Sequence, residues 1–198
     1  MIKKFQEDRD IFLVCDLHGH SRKKNVFMYG NSGRVNDRLK ERIFPSLMDR
    51  NSEIFNFGDC SFAVQKAKES TARVVMWKEM GITNTFTLEA SFCGADQGKF
   101  ADYHFNVDML QEVGHRFCDT ILDFCDPDQL KVKQVLEELE IMLPKASDSE
   151  SSVGSDDDSD PEEEGKGKKK GKSPTKKPAG KSIKQAHSLY VRDAGALD

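Results

Sequence analysis

The sequence predicts an α/β layered fold with a mixed or parallel sheet, followed by a disordered tail. Three observations predict it: a continuous apolar run at residues 11–15, an alternating β-branched run at 83–90, and helical apolar spacing across 103–125. Strand-type and helix-type periods alternate along the chain, which is the pattern of layered α/β domains.

Ile11-Phe12-Leu13-Val14-Cys15 has the length and apolar continuity of a central strand buried on both faces. Residues 36–49 read as helical turns interrupted by Pro45, because proline lacks the N–H that a helix interior uses. The stretch 70–81 carries hydroxyl residues at its start and Gly81 at its end, the punctuation of a short helix. In residues 83–90 the β-branched threonines alternate with apolar positions, so the segment is a strand with Thr85, Thr87 and Glu89 on one side and Phe86, Leu88 and Ala90 on the other. Val107, Leu110, Val113, Phe117, Ile121 and Phe124 recur at helical spacing and predict the longest helix, and 128–142 forms a further amphipathic segment.

The chain has 198 residues, enough for one ordinary core. A folded body is expected over 1–143. From Pro144 onward an acidic, Ser-rich block gives way to a Lys-rich block with almost no apolar side chain, so nothing offsets the ordering cost of about 1–2 kcal/mol per residue. A net charge of -4 excludes nucleic-acid binding by bulk charge. No apolar run approaches the roughly 20 residues of a membrane-spanning helix, and the first residues lack a signal-peptide core. A soluble intracellular protein without a membrane partner is therefore expected. Five scattered cysteines without a Cys-x-x-Cys pair read as reduced, mostly buried thiols.

Chemistry concentrates where the first strand ends. Alternation puts Asp16, His18 and His20 on one side, at the carboxyl end of a strand, where α/β folds place their sites. His18 is the candidate metal ligand, and Asp16 or His20 the partner that holds its ring. Alternation points Cys15 to the other face and removes it from that set. Glu89, at the end of its own strand, is a candidate general base in a partly dry cleft; a solvent-facing carboxylate is the plainer alternative. Arg22, Lys23, Lys24 and Arg73 supply positive charge, with a solvated surface as their plainer reading.

The run Cys15-Asp16-Leu17-His18-Gly19-His20-Ser21-Arg22-Lys23-Lys24-Asn25-Val26-Phe27-Met28-Tyr29-Gly30 resembles the signature of the cytosolic carboxypeptidases, the zinc enzymes that trim glutamates from tubulin. The resemblance continues through Arg42-Ile43-Phe44-Pro45, Arg73-Val74-Val75-Met76-Trp77, Thr87-Leu88-Glu89-Ala90-Ser91-Phe92 and Gly94. It implies part of a mixed-sheet zinc carboxypeptidase fold with helices on both faces. It also implies zinc as cofactor, His18 as the third ligand, Glu89 as the catalytic glutamate, and Arg22, Lys23, Lys24 and Arg73 as binders of substrate carboxylates. The implied partners are tubulin or other glutamate-rich protein tails, in the cytoplasm and at the cytoskeleton or cilium.

The family's first two ligands come from a His-x-x-Glu motif, and no histidine of this chain is followed three residues later by glutamate. The chain is accordingly expected to be the C-terminal half of the catalytic domain, to bind zinc weakly and to be inactive when isolated. An inactive fragment or isoform acting as a tubulin-associated interaction module is the second reading. A nuclear or nonspecific nucleic-acid adaptor working through the Lys-rich tail is the third.

Overall fold

The computed structural model describes residues 2–32 and 39–143; the predicted tail from 144 onward lies outside them. After a short α1 (Ile2–Gln6), the described elements run β1 (Val14–His20), β2 (Val26–Tyr29), α2 (Lys40–Asn51), α3 (Ala72–Met80), β3 (Thr85–Ser91), α4 (Val107–Cys125) and α5 (Leu130–Met142). The sheet order is β1-β3-β2, with β1 parallel and β2 antiparallel to β3, so the sheet is mixed as expected.

The apolar run at 11–15 supplies only the start of β1, and β1 is not the strand buried on both faces. Among the described residues it pairs on one side alone, whereas β3 is flanked on both. Centrality belongs to the polar-apolar strand, because that strand separates two chemically different compartments. Phe86 and Leu88 enter the hydrophobic core with Val26 and Met28 of β2, while Thr87 and Glu89 line the opposite side.

The core face is covered by helices. Phe44 and Met48 of α2 and Val113 of α4 are buried against the sheet residues, and Met109, Phe117, Ile121 and Phe124 pack around them. Val107 and Leu110, expected on this face, are exposed; the core-facing stripe of α4 runs instead through Met109, Val113, Phe117, Ile121 and Phe124. Asn106 caps α4 by accepting the Met109 N–H at 2.9 Å. A second cluster joins Leu39, Ile43 and Leu47 to Val135 and Leu139 of α5.

Pro45 does not interrupt α2; it lies inside a continuous twelve-residue helix. The single hydrogen bond it forgoes is outweighed by the buried ridge of Phe44, Leu47 and Met48 on either side. Helix α3 ends as expected on Gly81 in the left-handed region (φ 74°), but Thr71 does not cap its start: its hydroxyl donates to Lys68 O at 2.8 Å instead. α3 packs along β3 and β1.

β2 is fixed by a polar bracket at its first neighbour. Asn25, with φ 68°, donates through its side-chain amide to Asp59 Oδ2 at 2.9 Å and Asp96 Oδ1 at 2.6 Å, while its own Oδ1 accepts the Asp96 N–H at 3.0 Å. Asparagine suits this position because it tolerates the left-handed region better than branched residues do. Burial, opposed by the Asn25 hydrogen bond and reinforced by Asp96, raises the Asp59 pKa above its ordinary value. The folded chain therefore holds this proton more tightly than the unfolded chain, and the contribution of Asp59 to stability falls as pH rises from its unfolded value through its folded one. Asp59→Asn is expected to flatten that limb of a urea-midpoint profile against pH; an unchanged slope would exclude Asp59 as its source.

The cysteines divide differently from expectation. Cys93, Cys118 and Cys125 are exposed, and only Cys15 and Cys60 are partly enclosed; all five are free thiols. Burial pushes the Cys15 thiol up to about 12 and that of Cys60 higher still. Among the described residues no helix is long and apolar enough to cross a membrane.

Candidate active site

The second compartment of the sheet is a pocket of about 300 Å³ lined by Asp16, His18 and His20 of β1, Tyr29 of β2, Thr87 and Glu89 of β3, Arg73 at the start of α3, and loop residues including Arg22, Lys23, Ser61, Gln65 and Lys68. Strand register makes the pairing at its centre: His18 and Glu89 are direct partners in the β1–β3 ladder. Neighbouring positions on parallel strands project to the same side, so the alternation of two separate segments converges on one spot.

Glu89 is 6 % exposed, which overturns the solvent-facing alternative. Its Oε2 is buried without a hydrogen-bond partner among the described residues. Burial raises its pKa; Asp16 adds to the rise, and His18, Lys68 and Arg73 oppose it. A carboxylate that is desolvated but faced by cations is poised to exchange a proton, the requirement for a general base.

His18 Nδ1 lies 3.6 Å from Asp16 Oδ2, an arrangement that can orient the ring and leave Nε2 for another partner. His20 lines the same pocket, but its Nδ1 accepts the backbone N–H groups of Arg22 (3.2 Å) and Lys23 (3.0 Å), and its ring meets Phe27 edge-on at 5.2 Å. That nitrogen holds the turn after β1 rather than the His18 ring. Among the described residues no group of three His, Cys, Asp or Glu is arranged to hold a metal ion. His18 and the orphaned carboxylate fit a metallohydrolase, but they are not a ligand set.

The cations separate into two groups. Arg73 Nη1 donates to Gly30 O and to Asn31 Oδ1 at 2.6 Å, which fixes the guanidinium at the pocket wall. Burial lowers its pKa from the ordinary value, opposed by Tyr29 and Glu89. Lys23 Nζ sits 5.1 Å over the Phe27 ring and 5.6 Å over Tyr29, and Arg22 is at the rim. Lys24 is not among the pocket residues: its Nζ faces Asp102 at 3.9 Å, because the turn after β1 sends successive side chains in different directions.

Sequence reasoning missed Tyr29, Thr87 and Lys68 as parts of this site. Period-two alternation could have found Thr87, two residues before Glu89. Tyr29 belongs to a four-residue strand too short to show a period, and Lys68 lies in a single 3-10 turn with no sequence signal.

The chain is 49 % identical over 162 residues to cytosolic carboxypeptidase 3 of Mus musculus, covering 79 % of this chain and 16 % of that protein. It is 49 % identical over 145 residues to cytosolic carboxypeptidase 2 of Homo sapiens, covering 72 % of this chain and 16 % of that protein. By sequence, the chain is related to the cytosolic carboxypeptidases. It spans about one sixth of the length of these cytosolic carboxypeptidases. No family model matches. A metallo-carboxypeptidase from Burkholderia cenocepacia aligns structurally with a TM-score of 0.49 and 16 % identity, over 61 % of this chain and 32 % of that one.

Proposed function

We propose that this chain carries the catalytic glutamate, one zinc-ligating histidine and the substrate-binding cations of a zinc metallocarboxypeptidase of the cytosolic deglutamylase type. The reaction is hydrolysis of C-terminal or side-chain glutamates from proteins such as tubulin, in the cytoplasm and at the cytoskeleton or cilium. The observation that carries this reading is the buried Oε2 of Glu89, unpartnered among the described residues and in ladder register with His18 inside a cation-lined pocket.

His18 would hold zinc together with ligands from outside the described residues, and zinc, when bound, polarises a scissile carbonyl. The steps assigned to this chain are proton transfers and binding. Glu89 takes a proton from the attacking water, then delivers it to the amine as the C–N bond breaks. Its burial keeps the proton-accepting oxygen out of competition with bulk solvent. Asp16 orients the His18 ring. Arg73 and Lys68, on the wall facing Glu89, take the carboxylates of a glutamate residue, Arg73 as a fixed planar donor and Lys68 as a point charge.

The test is release of glutamate from a peptide ending in a glutamate run, by a polypeptide extended with the remaining portion of a cytosolic carboxypeptidase. Lys68→Glu is expected to raise KM by about tenfold with little change in kcat, the loss of one ion pair in a partly enclosed site. Equal turnover of glutamate-ended and leucine-ended peptides would remove the substrate assignment. The absence of a three-ligand group among the described residues favours a second reading, an interaction module without activity. Equilibrium dialysis of the extended polypeptide separates the two: stoichiometric tight zinc that is lost in His18→Ala supports the enzyme, and zinc binding indifferent to that change supports the module.

A further inference from the structure

The pocket and a stretch of this chain's own sequence are complementary in charge. Arg22, Lys23, Lys68 and Arg73 line the cavity against two carboxylates, Asp16 and Glu89. Positive charge therefore dominates a concave, partly desolvated surface, where fields are stronger than on an open one. Beyond α5, residues 147–164 hold nine Asp and Glu and neither Lys nor Arg, including Asp156-Asp157-Asp158 and Glu162-Glu163-Glu164.

We infer that the acidic run 156–164 of this chain occupies the cation-lined pocket and competes there with acidic substrate tails. The inference rests on the reading of the pocket as a site for glutamate-rich chains. Reach does not oppose it. The run begins 13 residues past Leu143, a contour of about 45 Å at ~3.4 Å per residue. The path over the surface of a body roughly 35–40 Å across is at most about 60 Å, and Glu162, 19 residues past Leu143, reaches about 65 Å. The run is an occupant and not a substrate: it offers side-chain carboxylates, but its backbone continues in both directions and presents no terminal residue for removal.

The Lys block at 166–181 competes for the same acids. The pocket has the advantage of fixed geometry. Arg73 is already anchored on Gly30 O and Asn31, so an arriving carboxylate does not have to immobilise it, whereas exposed charge pairs are screened within about 8 Å at physiological salt. Ser155 and Ser159 have acidic residues three positions on, Asp158 and Glu162, the pattern of acidophilic kinase sites. Each phosphate adds about -1.5 to -2 of charge and tightens the occupancy.

The test uses the full 198-residue chain and a fluorescein-labelled pentaglutamate peptide, with binding read by anisotropy. Neutralising the run (D156N, D157N, D158N, E162Q, E163Q and E164Q together) is expected to tighten peptide binding by about tenfold, the effect of removing a tethered competitor at near-millimolar effective concentration. Carbodiimide coupling of the unaltered chain is expected to link Glu162, Glu163 or Glu164 to Lys68 within one molecule. Equal peptide affinity in both chains overturns the inference and leaves the pocket reading intact. Links confined to Lys166–Lys181, or links that form only between molecules and grow with concentration, also overturn it. Peptide binding by neither chain overturns the pocket reading itself, and the inference with it.

Discussion

Glu89→Gln is expected to abolish hydrolysis in a polypeptide extended with the remaining portion of a cytosolic carboxypeptidase, with a loss of about 10²- to 10⁴-fold in kcat, the usual worth of a positioned general base. The amide keeps the volume of the side chain and its place opposite His18 in the ladder, so peptide binding should survive with KM little changed. A fall in kcat and kcat/KM together marks an interaction made only in the transition state. His18→Ala is the contrasting variant, because it should lose bound metal as well as turnover. Retained turnover in Glu89→Gln would remove Glu89 from its role. A raised KM with normal kcat would make it a substrate-binding residue instead.

Phe44→Ala is expected to be the most destabilising single change in the core. The ring is fully buried, stacks on Phe86 at 5.6 Å with planes 20° apart, and meets Phe117 and Phe124 edge-on at 5.5 and 5.6 Å. Truncating a buried phenylalanine costs about 3–5 kcal/mol, a large part of the roughly 5–15 kcal/mol that holds a domain folded. The change joins packing to function through one strand. Phe86 and Glu89 alternate on opposite faces of β3, so a cavity beneath Phe86 loosens the strand that presents the base. A urea unfolding curve should shift to a markedly lower midpoint, and Phe44→Leu, which keeps most of the volume, should shift it less. A midpoint unchanged by Phe44→Ala would mean that the helix layer contributes little to holding the sheet.

Local patterns were sufficient where a single element carries the information. The alternation across 83–90 identified β3 and both its faces, because period two is a property of the strand itself. The apolar spacing of 107–125 identified α4, and Gly81 marked the end of α3 because a left-handed residue there needs no side chain. Local patterns failed where neighbours decide. The run at 11–15 is apolar enough for a central strand, yet partners, not composition, determine which strand is central. The proline at 45 reads as a break because a sequence lists the lost hydrogen bond and not the buried ridge that offsets it.

The sequence by itself determined the α/β class and the polar face of β3, and singled out His18 and Glu89 as separate candidates. Only the tertiary structure placed His18 opposite Glu89, buried the Oε2 of that glutamate, anchored Arg73 on Gly30 and Asn31, brought Lys68 from a loop to the pocket wall and turned Lys24 away toward Asp102. The physical reason is range. Backbone period and turn chemistry act over a few residues and are written in order along the chain, whereas desolvation and the convergence of charges depend on segments that meet across some 70 positions of sequence and on the strand register that joins them.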